Sequence, residues 1–181
     1  MKTEGAVNEE AKQLLLIDVP AIIHPPGESD EFYTPRHLFA KWHAETPFTI
    51  DVAATAESAC LPRFWTIHDD ALKQSWAGEH FWCNPPFSRL SEFVEKAHCE
   101  VLGNGCMGGR MLMPANRTEQ PFWQEFIEPY RDGGGDDELR FALLTQFLPK
   151  RFQFGFPGDP TGESGDSPKF GCVLVTWVAT E

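Results

Sequence analysis

The chain has 181 residues, of which 41% are hydrophobic and 13% aromatic, and its formal net charge is −12. This length and composition predict one globular domain with a substantial core and exclude an intrinsically disordered protein. No apolar run approaches the ~18 residues of a membrane-spanning helix, and the first residues lack the basic and then apolar pattern of a signal peptide. The acidic charge argues against nucleic-acid binding, because phosphate contacts supply much of the affinity for DNA, unless basic residues gather on one face.

The five cysteines contain no C-x-x-C pair, which indicates reduced thiols in a cytoplasmic protein. Because no apolar run is long enough to span a bilayer, no membrane partner is expected. His98, Cys99 and Cys106 lie close together in the sequence and leave zinc open as an alternative. No second pair of ligands has the spacing of a zinc site. The sequence therefore predicts no bound metal.

Residues 1–29 predict an N-terminal extension, and residues 30–181 predict a single domain. Thr34 is a favourable N-cap and Pro35 a favourable first helical residue, and apolar residues then recur at helical spacing. This pattern predicts a helix over residues 35–45 with Tyr33 and Thr34 at its N-terminus, where free N–H groups bind carboxylates. A plain capped helix without a ligand is the alternative.

A strand is predicted over residues 48–55, and its carboxyl-terminal part comprises Asp51 and the small residues that follow it. A carboxylate at the carboxyl end of a strand can bind a cationic amine, and small residues let a ligand approach. Residues 61–66 predict a second strand at the edge of the sheet, where Pro62 is tolerated.

An acidic turn follows these strands. Asp69 or Asp70 caps a short helix that runs to Trp76, or Asp70 accepts from an adenine amino group with Leu72 against the ring. The two interpretations are compatible with each other.

The most informative motif is Asn84-Pro85-Pro86-Phe87, which lies between a predicted buried strand and a predicted helix over residues 88–102. The prolines hold Asn84 extended at the carboxyl end of its strand, where open α/β sheets bind ligands. The Asn84 side-chain oxygen and the Pro85 carbonyl are suitable acceptors for the hydrogens of an exocyclic amino group, and they would free its lone pair for methylation. Phe87 would stack on a base taken out of its duplex. The alternative is a Pro-Pro turn in which Asn is a cap.

The remainder of the chain predicts further strands over residues 109–114, 139–147 and 170–178, the last two forming an antiparallel pair. Thr118 is expected to cap a helix, and residues 149–154 are expected to continue into another strand. Residues 155–168, rich in Gly, Pro and acids, predict a mobile surface loop.

Four motifs therefore follow in one order: Phe-Tyr-Thr-Pro, Asp-Val-Ala-Ala, Asp-Ala-Leu and Asn-Pro-Pro-Phe. This order resembles the S-adenosylmethionine-dependent amino methyltransferases of DNA, and most closely the phage N6-adenine methyltransferases of the Dam type. The resemblance covers about residues 30–178 and is most specific over residues 30–90. Two departures are the missing glycine-rich turn after Asp51 and Phe87 in place of the commoner Tyr, which keeps the stacking face.

The resemblance implies a three-layer α/β/α, Rossmann-like fold with a mostly parallel sheet and an antiparallel C-terminal pair. It implies transfer of a methyl group from S-adenosylmethionine to N6 of an adenine flipped out of DNA. The residues implied for the cofactor are Tyr33, Thr34, Pro35, Asp51, Val52, Ala53, Ala54, Asp70 and Leu72. Those implied for the target adenine are Asn84, Pro85, Pro86 and Phe87. The candidate DNA contacts are Arg89, Arg117, Lys150 and Arg151.

Two alternatives remain open. One is an amino methyltransferase acting on a protein amide, an RNA or a small molecule, since the acidic charge suits a basic partner. The other is a non-catalytic binding protein with a degenerate methyltransferase fold, which the intact motif at residues 84–87 disfavours.

Overall fold

The structure is a computed structural model that describes residues 30, 32–134, 141–159, 161 and 168–179. The expectations for the N-terminal extension and for most of the loop over residues 155–168 lie outside these described residues. No helix among them is long and apolar enough to cross a membrane.

The described residues form a mixed α/β structure with one five-stranded sheet. The helices are α1 (Arg36–Glu45), α2 (Leu90–Gly103) and α3 (Pro121–Phe126). The strands are β1 (Ile50–Asp51), β2 (His80–Cys83), β3 (Gly108–Pro114), β4 (Phe141–Phe147) and β5 (Cys172–Ala179). A short 3-10 turn, Phe87–Arg89, leads into α2.

The strand order is β1-β2-β3-β5-β4. The first three strands are parallel, and β5 runs antiparallel to both of its neighbours, β3 and β4. The predicted antiparallel pairing of the last two strands is therefore confirmed. Because β4 is then parallel to the first three strands, β1 to β4 all end, and β5 begins, at one edge of the sheet. We call this the carboxyl edge.

Two apolar clusters lie on opposite faces of this sheet, because side chains alternate along a strand. Met111 of β3 belongs to the cluster that α2 and α3 cover, whereas its neighbour Leu112 belongs to the cluster that α1 covers. In β2, Phe81 and Trp82 divide in the same way, and both side chains are fully buried. Helices thus pack on both faces, and the segments that follow β1 to β4 leave the sheet at the carboxyl edge.

The two predicted helix caps are wrong. Helix α1 begins at Arg36, and Pro35 occupies the N-cap position without a side-chain cap. Thr34 does not cap this helix because its hydroxyl accepts a hydrogen bond from the Asn84 amide at 3.1 Å. Helix α3 has Gln120 at its N-cap position, while Thr118 contributes only its carbonyl, which accepts from the Gln124 side chain at 2.7 Å.

Several predicted strands and turns are shorter or less regular than expected. Strand β1 has only two residues, and the predicted strand over 61–66 is reduced to a single bridge, Asp51 to Phe64. Residues 149–154 form no regular strand, although the next residue, Gly155, pairs with Tyr33 through two backbone hydrogen bonds. The predicted helix from residue 69 is a series of turns, because Asp70 adopts a left-handed φ of 53°.

Candidate active site

A cavity of about 400 Å³ opens at the carboxyl edge, beside the ends of β1 and β2. Its volume lies within the range of roughly 300–1,000 Å³ that is typical of small-molecule sites. The cavity brings together residues from all four sequence motifs. The predicted site residues in its wall are Tyr33, Val52, Ala53, Ala54, Asp70, Asn84, Pro86 and Arg89. The predicted residues outside its wall are Thr34, Pro35, Asp51, Leu72, Pro85, Phe87, Arg117, Lys150 and Arg151.

The fold fixes the orientation of the Asn84 side chain through two hydrogen bonds. Its amide nitrogen donates to the Phe32 carbonyl at 2.6 Å and to the Thr34 hydroxyl at 3.1 Å. A backbone carbonyl only accepts hydrogen bonds, so the nitrogen must face Phe32 and the oxygen must point away from it. That oxygen, Oδ1, is buried and has no hydrogen-bond partner within the described residues. The fold thus presents an unsatisfied acceptor beside the cavity.

A segment ahead of α1 holds the Asn84 motif in place. This leading segment comprises Asp30 and residues 32–35. At one end, the Asp30 carboxylate accepts from the backbone amide of Ser88 at 3.1 Å and also from its hydroxyl. At the other end, Tyr33 exchanges backbone hydrogen bonds of 2.8 and 2.9 Å with Gly155. The leading segment is therefore held against the motif by Ser88 at one attachment point and by Gly155 at the other.

Phe87 does not reach the cavity wall. Its ring stacks on that of Phe32, with centroids 5.0 Å apart and planes inclined by 21°. Phe170 and Phe154 meet it nearly at right angles, with centroids 5.7 and 6.3 Å away. In this structure the flat partner of Phe87 is Phe32, which itself lines the cavity.

Asp51 has a different environment from the one expected for a residue that contacts a cationic ligand. Its carboxylate is 3% exposed and accepts from the backbone amides of Cys60 at 2.9 Å and Ala53 at 3.4 Å. Burial raises the pKa of the Asp51 carboxyl to about 6, although these two hydrogen bonds oppose the rise. Asp51 therefore anchors the loop over residues 53–60, and that loop supplies the small residues of the cavity wall.

Asp70 lies in the wall, and its carboxylate forms an ion pair with Lys73 at 2.8 Å. The hydrogen bond from Lys73 lowers the pKa of the Asp70 carboxyl. Leu72 instead packs against the core cluster, and its neighbour Ala71 takes the place in the wall.

Sequence reasoning missed an apolar side of the cavity. Trp65, Ile67 and Phe93 all contribute to the wall. Ile67 is 81% exposed, although it is a large apolar residue. The available signal was its position between the polar residues Thr66 and His68, where an apolar side chain has no core to enter.

The candidate DNA contacts fall into two groups. Arg89 lines the cavity but forms an ion pair with Glu92 at 2.7 Å. Arg117 follows β3, and Lys150 and Arg151 follow β4, so all three lie at the carboxyl edge outside the cavity. None of them takes part in the ion pairs found among the described residues.

No group of three or more His, Cys, Asp and Glu side chains in the described part of the chain is placed to hold a metal ion. His98 is buried among aromatic rings, with the centroids of Tyr130 and Phe141 at 5.0 and 5.2 Å. Burial lowers the pKa of His98. Cys99 is exposed, whereas Cys106 is buried, so the three residues close in sequence do not share an environment.

The family profile described as DNA N-6-adenine-methyltransferase (Dam) matches residues 24–129. A curated relative, DNA N-6-adenine-methyltransferase of Escherichia phage T1, is 31% identical over 96 residues, which are 52% of this chain and 40% of that protein. The match thus spans less than half the length of that relative. No solved structure matches the chain. Every residue of the cavity wall lies within the stretch that the family profile covers.

Proposed function

We propose that this chain, which belongs to the DNA N-6-adenine-methyltransferase (Dam) family, transfers a methyl group from S-adenosylmethionine to the N6 nitrogen of adenine in DNA. The observation that carries the proposal is the buried, unpartnered Asn84 oxygen beside the cavity at the carboxyl edge. Helices packed on both faces of the sheet support a three-layer, Rossmann-like arrangement.

The chemistry follows from the state of the acceptor nitrogen. The lone pair of an exocyclic amino group is delocalised into the base ring, so the nitrogen is a poor nucleophile. An acceptor that receives a hydrogen bond from this amino group draws the nitrogen towards tetrahedral geometry and makes the lone pair available. Asn84 Oδ1 suits this role because two acceptors already hold its amide nitrogen. The Pro85 carbonyl is the second acceptor in this proposal.

The protein needs no covalent intermediate for this reaction. Its contribution is to hold the two reactants in line, and such positioning accounts for about 7–11 kcal/mol of the barrier in well-oriented reactions. The prolines on either side of the Pro85 carbonyl restrict the backbone here. The motif therefore supplies its acceptors without reorganisation.

We propose that the cavity holds S-adenosylmethionine, which would supply a methyl group on a positively charged sulfur. Its wall combines small residues, Ala53 and Ala54, with an aromatic surface from Trp65. Two carboxylates, those of Asp30 and Asp70, are also in the wall and complement a cationic ligand. We propose that these residues hold the cofactor and that Asp51 supports them by anchoring the loop over residues 53–60.

Cations at the carboxyl edge support DNA binding by this acidic chain. We name four cations at this edge, Arg117, Lys150, Arg151 and Lys169, the basic rim. Lys169 was not among the sequence-based candidates, and it precedes the start of β5. The remaining cations of the described residues are mostly neutralised by acids, namely Arg63, Lys73, Arg89, Lys96, Arg110 and Arg131. The basic rim thus places cations without an ion-pair partner among the described residues at the same edge of the sheet as Asn84, where we propose that phosphates approach.

The test is methylation of plasmid DNA by the purified protein with labelled S-adenosylmethionine, followed by mass analysis of the nucleosides. We expect N6-methyladenine to be the labelled nucleoside. A protein that binds the cofactor but leaves DNA unlabelled would refute the proposal and would direct attention to protein, RNA and small-molecule acceptors.

A further inference from the structure

Phe32 contacts both halves of the candidate site. Its ring lines the cavity and stacks on Phe87, and its carbonyl accepts the 2.6 Å hydrogen bond from the Asn84 amide. Phe87 itself contributes nothing to the cavity wall. A base that stacked on Phe87 from the cavity side would meet the Phe32 ring first.

The stacked geometry is that of an aromatic pair. A centroid distance of 5.0 Å and an inclination of 21° describe an offset stack, the arrangement expected of a purine on Phe87. Phe32 also touches Phe154 and Phe156 in tilted contacts at 5.1 and 5.6 Å. The ring therefore has partners on its other sides, and the nearly parallel partner is Phe87.

We infer that the Phe32 ring occupies the stacking site of the target base and is displaced when the base enters. This inference rests on the proposed function, because it assigns the Phe32 ring to the same site. The backbone and side chain of Phe32 then have separate roles. The carbonyl orients Asn84 and is fixed by the backbone pairing of the next residue, Tyr33, with Gly155. The ring moves by rotation about its own side-chain bonds while that carbonyl stays in place.

The inference has a consequence for binding affinity. A protein whose binding-competent state is only partly populated binds its ligand more weakly by that fraction. The stacking of one aromatic pair favours the state in which Phe32 covers Phe87 by about two- to tenfold over the open state. Removing the Phe32 ring should therefore strengthen binding of an unpaired adenine by about two- to tenfold, while the Asn84 acceptor remains in place.

The experiment compares Phe32→Ala with the wild-type protein. The probe is a single-stranded oligodeoxyadenylate that carries one 2-aminopurine, whose fluorescence changes when the base leaves its neighbours in the strand and enters the protein. We expect Phe32→Ala to bind this probe more tightly, so that its fluorescence changes at a lower protein concentration, and to show a lower KM for DNA. Phe32→Leu keeps apolar volume in the cluster but offers no flat face, so it should shift both quantities in the same direction.

Phe156→Ala is the matched control, since it removes the same ring from the same cluster without a ring contact to Phe87. We expect this variant to leave the KM for DNA unchanged. A raised KM in both Phe32 variants, with melting temperature and cofactor binding retained, would overturn the inference, because Phe32 would then be a fixed wall of the base site. An unchanged KM in both variants would overturn it as well. These results require a wild-type protein that methylates DNA. A wild-type protein that does not would remove the proposed function and the inference together.

Discussion

Replacing Asn84 with Ala tests the proposed chemistry most directly. The substitution removes the unpartnered oxygen and both hydrogen bonds that the amide donates, at 2.6 and 3.1 Å. It leaves the Phe32 carbonyl and the Thr34 hydroxyl without their partner. The cavity wall that we assign to the cofactor is otherwise unchanged.

Two magnitudes follow from these contacts. Loss of one preorganised hydrogen-bonding group at the reacting atoms lowers the rate by about 10²–10³-fold, which corresponds to roughly 3–4 kcal/mol in the barrier. Each of the two groups that lose this partner, the Phe32 carbonyl and the Thr34 hydroxyl, lowers the folding stability by no more than about 1–3 kcal/mol. The variant should therefore fold, bind the cofactor with an affinity within about threefold of wild type, and lose nearly all methyl transfer.

The assay measures initial rates of methyl transfer to DNA at saturating cofactor and, separately, cofactor affinity by calorimetry. Thr34→Val is an informative second variant because it removes the 3.1 Å hydrogen bond and keeps the Asn84 oxygen. We expect its loss of rate to be about tenfold or less. Asn104→Ala, at the end of α2, makes the same chemical change away from the cavity and should leave the rate unchanged. An Asn84→Ala variant that transfers methyl groups within tenfold of the wild-type rate would refute the acceptor role.

Three further predictions concern pH, salt and backbone strain. The pKa of Asp51 is about 6 in the folded protein, whereas its usual value is 3.8. The unfolded chain therefore loses this proton at lower pH than the folded protein does, and the stability of the fold decreases as the pH rises. Relative to Asp51→Asn, we expect the wild-type protein to lose about 2 kcal/mol of unfolding free energy between pH 4 and pH 7. Replacing Lys150 and Arg151 together with Gln should reduce the slope of log affinity against log salt by about 1.8 for duplex DNA. Gly108→Ala should destabilise the fold by about 2 kcal/mol or more, because a Cβ there would overlap a carbonyl oxygen of β5 at a φ of +105°; thermal or denaturant unfolding measures the change.

Each of these predictions has its own control. The part of the pH dependence that comes from Asp51 should be absent in Asp51→Asn, so parallel pH profiles for the two proteins would show that other groups are responsible. Lys41→Gln removes an exposed cation on α1, away from the basic rim, and should leave the salt slope unchanged. Gly103→Ala places a Cβ in open space at the end of α2, so it should be neutral or mildly stabilising, and equal effects of the two glycine variants would contradict the clash.

Local patterns in the sequence predicted the centre of the candidate site. The prolines after Asn84 act through their own ring geometry, so a rigid turn after a buried strand was predictable without any tertiary information. The helix after the motif and the strand predicted over residues 109–114 were predictable for a similar reason, since an apolar pattern depends only on neighbours in the chain. The order of the four motifs also predicted the family, which the comparisons confirm.

The tertiary structure decided how those residues are used, because the deciding contacts join segments far apart in the chain. Thr34 is a good helix cap in isolation, yet its hydroxyl is taken by Asn84, fifty residues later. The Asp51 carboxylate was expected to face a ligand, but the backbone amide of Cys60 binds it in the core. Phe87 was expected to be free for a base, and Phe32 covers it. Local sequence sets what each residue can do, whereas the competition among distant partners for a buried hydrogen bond or an aromatic face is settled only when the chain has folded.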